Sequence, residues 1–106
     1  MTEKELNIIL KQIGIPVAYD HFEQNSDGKV KPPFIVYRND DPYTLKAENV
    51  TWFKGNNYIV ELATDYKDVE LENALESLFT ENEMPFDKEE FYIDEERMYQ
   101  IRYYLN

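Results

Sequence analysis

Leu6, Ile9, Leu10 and Ile13 recur at i, i+3, i+4 and i+7, the spacing of one buried helix stripe, and predict an amphipathic helix at the start of the chain. Thr2 is placed to cap its N-terminus, and Glu5, three residues on, to close a capping box. Gly14 suits the left-handed position past the helix end, and Pro16 prevents continuation. A second helix is predicted from Asp68, with Leu71, Leu75, Leu78 and Phe79 as its apolar stripe and Glu70, Glu72 and Glu76 largely on the opposite side. Glu70 and Glu72 also fall in the first turn, where the positive end of the helix dipole favours them.

The remaining apolar runs are short and read as strands. Residues 17–22 are rich in β-formers, and 34–37 form an apolar run between Pro32-Pro33 and Asn39-Asp40-Asp41-Pro42. Tyr58–Thr64 and Phe86–Ile93 are further strands. In Met98–Leu105, Tyr99, Ile101, Tyr103 and Leu105 alternate with Gln100, Arg102 and Tyr104, a period of two. Residues 23–33 have no periodicity and contain Asn25-Ser26-Asp27-Gly28, which predicts an exposed loop. Residues 43–54 carry Tyr43, Leu45, Val50, Trp52 and Phe53 broken by polar positions; their pattern is ambiguous and is counted as a strand. Gly55-Asn56-Asn57 is a hairpin signal and Asp94-Glu95-Glu96 a turn. The order is α-β-β-β-β-α-β-β, and strands joined by hairpin-length turns predict an α+β fold: a mostly antiparallel sheet with two helices packed on one face. Residues 1–106 form one domain, with no repeat or linker.

Composition narrows the function. Hydrophobic residues make up 42% of the chain and aromatics 15%, enough for a packed core rather than a disordered tail. The absence of cysteine excludes disulfides, thiol chemistry and thiolate-bound metals. Twenty-two acids against eleven bases give a net charge of −11, so affinity drawn from neutralising phosphates would oppose the protein's own field. No apolar run reaches the ~20 residues that span a bilayer. The opening Met1-Thr2-Glu3-Lys4-Glu5 lacks a signal-peptide pattern, so a soluble intracellular domain is expected.

Catalytic and metal chemistry have little to draw on. The single histidine, His21, has Asp20 beside it and Glu23 nearby, but neighbours on a strand point to opposite faces, so Asp20 cannot orient the ring. Ser26 and Ser77 lack a nucleophile context. Asp87-Lys88-Glu89-Glu90 and Asp94-Glu95-Glu96 offer oxygen ligands without the spacing of a calcium loop. Three isolated glycines make no phosphate cradle. No catalytic residue, cofactor site or metal site is expected. The nine tyrosines exceed what a small core needs and suit protein–protein contact, being half apolar and half hydrogen-bonding.

Several stretches together resemble a known family: Ile13-Gly14-Ile15-Pro16-Val17-Ala18-Tyr19-Asp20-His21-Phe22, Pro33-Phe34-Ile35-Val36-Tyr37, Tyr58-Ile59-Val60-Glu61-Leu62, the helix start from Lys67-Asp68 to Glu72, and Tyr92-Ile93-Asp94-Glu95-Glu96-Arg97-Met98-Tyr99-Gln100-Ile101-Arg102-Tyr103. They resemble small proteins encoded in the head–tail gene cluster of siphoviruses and Gram-positive prophages, the tail-completion or tail-terminator proteins. The resemblance implies an α+β fold, no catalytic residues, and a ring at the junction between tail tube and head. Its implied partners are copies of itself, the tail-tube proteins and the head connector; its implied location is the host cytoplasm during assembly and the tail–head junction of the virion. The segment 23–32 is longer than the family leads one to expect, and Trp52-Phe53-Lys54 departs from the usual pattern.

Charge suggests where subunits would meet. Residues 61–96 hold fourteen acids and two bases, whereas residues 1–60 hold eight acids and seven bases. The expected ring contact sets Lys29, Lys31, Arg38, Lys46 and Lys54 of one subunit against the acidic part of the next. An alternative of another class is an acidic binding module that mimics DNA and occupies a host nucleic-acid-binding protein.

Overall fold

A computed structural model of the chain describes residues 2–20, 31–39 and 57–105. Among them the order is α1 (Glu3–Lys11), β1 (Val17–Tyr19), β2 (Phe34–Asn39), β3 (Tyr58–Thr64), α2 (Val69–Glu81), β4 (Phe86–Ile93) and β5 (Met98–Leu105). The class is α+β, as the patterning implies. The strand expected within 43–54 and the hairpin at Gly55-Asn56 lie outside the described residues.

The five strands form one sheet in the order β1-β2-β3-β5-β4. Pairings β2·β3, β3·β5 and β5·β4 are antiparallel, and only β1·β2 is parallel. The chain leaves β3 through α2 and enters the sheet again at the edge as β4. It then turns back through Asp94–Arg97 so that β5 fills the place between. Arg97 adopts φ 51° in that turn.

Local signals set the element ends. The Thr2 side chain accepts a hydrogen bond from the Glu5 N–H at 3.1 Å, and the Glu5 carboxylate accepts one from the Thr2 N–H at 2.8 Å, completing the capping box. Gly14 has φ 88°, where a side chain would strain the backbone. Asp68 caps α2 by accepting from the Leu71 N–H at 3.1 Å. The first strand is shorter than the expected 17–22: Asp20 turns left-handed at φ 68° and ends the pairing after Tyr19.

Register places one row of side chains in the core. Tyr37, Val60 and Tyr103 lie side by side across β2, β3 and β5, as do Ile35, Leu62 and Ile101, and all six are fully buried. From α1, Leu6, Ile9 and Leu10 join this cluster; from α2, Leu75 and Phe79 do. Phe79 packs edge-on against Tyr103 at 5.3 Å, and Phe86 against Tyr103 at 5.4 Å.

One expectation for α2 fails. Glu72, expected on the solvent side, is buried with 3% exposure. The helical period explains it: at 100° per residue, position 72 lies beside position 79, inside the apolar stripe rather than opposite to it.

Candidate functional site

The helix-side network is built around Glu72. Lys67, in the connection between β3 and α2, reaches its carboxylate at 2.9 Å, and Lys88 of β4 reaches the other oxygen at 2.9 Å. Lys88 also contacts Glu76 at 2.7 Å, where the Tyr103 hydroxyl donates a second hydrogen bond at 2.8 Å. Lys67 in turn meets Glu90 of β4 at 2.7 Å. Burial alone would raise the Glu72 pKa, but the hydrogen bonds from Lys88 and Lys67 prevail and hold it below the ordinary carboxylate value. Lys67 is raised by Glu90 and Glu72; Lys88 is raised by Glu76 and Glu72 against an opposing desolvation. Tyr103 is raised, first by burial and then by its bond to Glu76. Glu72, Lys67 and Lys88 are thus held in their ionised forms and the Tyr103 phenol in its neutral form. That arrangement clamps α2 to the sheet.

A second network lies on the alternate residues of the sheet. Glu61 of β3 accepts from Arg102 of β5 at 2.9 Å and pairs with Arg38 of β2 at 3.2 Å. Tyr104 donates to Glu89 of β4 at 2.6 Å, and the Arg102 guanidinium lies 5.0 Å over the Phe91 ring. At the far side of the core, the Tyr37 hydroxyl donates to Glu3 and accepts from the Asn7 side chain at 2.9 Å. Burial, with the bond to Glu3, pushes the Tyr37 pKa up to about 12.

Among the described residues, no group of three or more His, Asp or Glu is arranged to hold a metal ion. No described buried side-chain nitrogen or oxygen lacks a hydrogen-bond partner. The hollows on the surface are open: one is lined by Asn73, Glu76, Ser77, Thr80, Glu81 and Phe86, another by Thr80, Glu83, Met84, Pro85 and Phe86. No described helix is long and apolar enough to cross a membrane.

Of the residues expected to make the ring contact, Lys31 is exposed just before Pro32 and β2. Arg38 is half-buried and held by Glu61 of its own chain. Lys29, Lys46 and Lys54, like His21, lie outside the described residues. The acids are brought together more fully: α2 exposes Glu70 and Glu81, β4 exposes Asp87, Glu89 and Glu90, and the turn exposes Asp94, Glu95 and Glu96. Patterning along the chain does not reveal the helix-to-edge clamp through Glu72. Its available signal was Lys67 and Lys88, the two bases of the acidic region, flanking a glutamate inside an apolar stripe.

Comparison with known proteins returned no match to any protein-family model, curated protein or solved structure.

Proposed function

We propose that this is a structural protein acting through contacts with other protein chains, of the tail-completion kind that closes a phage tail tube and joins it to the head. The observation that carries this reading is the uneven spread of acids across the sheet. Exposed lysines Lys4, Lys11 and Lys31 belong to α1 and the approach to β2, on the side of the sheet that ends in β1. Exposed Glu3, Glu5 and Asp20 balance them there, whereas the exposed acids of α2, of β4 at the opposite edge and of the turn that follows it outnumber the neighbouring bases Lys67, Lys88 and Arg97. A strongly acidic surface and an unlike, balanced one that carries lysines suit a head-to-tail contact, which generates a ring when the rotation closes.

In this reading Lys29, Lys31, Lys46 and Lys54 of one subunit face the acids of the next, Glu70 and Glu81 on α2 and Glu95 and Glu96 in the turn among them. Arg38 joins only by exchanging Glu61 for a partner's carboxylate. The extra tyrosines serve the same end, since Tyr is favoured where a surface is half apolar and half hydrogen-bonding. Deletion of the gene from an inducible prophage tests the reading. The expected product is full heads and unjoined tails that accumulate separately; joined, infectious particles in normal yield would overturn it.

A further inference from the structure

The edge strand β4 has a backbone feature beyond the charges on which the ring reading draws. Over its eight residues it pairs with β5 on one side, and among the described residues it ends the sheet on the other. Six consecutive positions, 87–92, are exposed. The backbone N–H and C=O groups that alternate residues turn outward from such an edge need water or another strand. We propose that β4 is a docking edge for an extended segment of a different protein, which adds as a further strand and carries basic residues at alternate positions.

Register defines the chemistry of that segment. Asp87, Glu89 and Phe91 point to one face of the sheet, and Lys88, Glu90 and Tyr92 to the other. On the second face Lys88 and Glu90 are already held, by Glu72 and Glu76 and by Lys67 respectively. On the first face Asp87 is exposed, and Glu89 accepts from the Tyr104 hydroxyl, while Arg102, opposite it in the register, is paired with Glu61. Phe91 is 38% exposed beside them. Residues directly opposite across a strand pair share a face and interact. A matching strand therefore places Lys or Arg opposite Asp87 and Glu89, and an apolar side chain opposite Phe91. The same charges oppose pairing with β4 of a second copy: β4 against β4 would set acidic edges together and add the repulsion of two chains of net charge −11. Main-chain hydrogen bonds supply affinity in this mode, and the alternating side chains supply selectivity.

The probe is a peptide, Val-Thr-Lys-Thr-Lys-Thr-Val, whose pattern reads alike in both directions, titrated into the labelled full chain at about 0.15 M ionic strength. Two control peptides replace the lysines by glutamate or the central threonine by proline. Saturable amide shifts confined to β4 and slowed exchange of its outward amides are expected. Each control should bind at least about tenfold more weakly. Asp87→Lys with Glu89→Lys, both at exposed positions, should reverse the preference and take the glutamate peptide. The idea is overturned by equal binding of the proline peptide, which means diffuse charge attraction, and by shifts centred on α2. It is equally overturned by β4 shifts that depend on protein concentration alone, which mean a second copy, and by the absence of saturable binding. None of these outcomes bears on whether heads and tails join, so this inference and the ring fail separately.

Discussion

Lys88 Nζ lies 2.9 Å from Glu72 Oε1, tying the edge strand β4 to a carboxylate buried under α2. Without that lysine and Lys67, a glutamate with 3% exposure would carry the full cost of leaving water. The pair explains how an acidic helix and an acidic strand remain packed together.

Glu72→Gln should destabilise the domain, because it leaves two lysines facing a neutral amide. Both lysines keep about a third of their side-chain surface in water. The loss is accordingly discounted to about 1–3 kcal/mol, below the value for a fully buried pair. Chemical denaturation at neutral pH checks it.

The same pair gives a pH dependence. The folded-state pKa of Glu72 is lowered from 4.5. Its contribution to stability is therefore present above the unfolded value and is lost as pH falls through the folded one. Wild-type stability should decline through that acid range with a steeper slope than Glu72→Gln. Parallel curves for the two proteins would contradict the assignment.

Tyr37 supplies the alkaline counterpart. Its pKa is raised from 10.0 to about 12, so the folded state holds the phenolic proton more tightly than the unfolded chain. Stability from this group is complete below pH 10 and is lost as pH rises from there toward 12. Ultraviolet titration should show Tyr37 ionising only with the alkaline transition, and Tyr37→Phe should flatten the loss over that window.

Leu75→Ala tests the core. The side chain is fully buried on α2, and truncation should cost about 2–5 kcal/mol. An unchanged thermal midpoint would mean that another face of α2 meets the sheet.

Much of this fold is legible in the residues. Thr2 and Glu5 specify a helix start by local chemistry, and the strict alternation of Tyr99, Ile101, Tyr103 and Leu105 specifies a half-buried strand. Glu72 escapes the pattern because its residue type and its helical angle point to opposite faces: a carboxylate enters a stripe when tertiary packing brings lysines from elsewhere, and no local pattern encodes that meeting. The parallel β1·β2 pairing is hidden for a related reason, since strand direction depends on a long connection rather than on periodicity. Charge along the chain does not reveal which bases are already paired: the partner of Arg38, Glu61, comes from the adjacent strand of its own sheet.

The reading of this chain as an assembly protein is tested most directly by reversing charge where one subunit is proposed to meet the next. Lys46→Glu together with Lys54→Glu in an inducible prophage should leave the purified chain folded, with a thermal midpoint near that of the wild type, while heads and tails accumulate unjoined. Infectious particles at wild-type titre from the double variant would contradict the proposed contact.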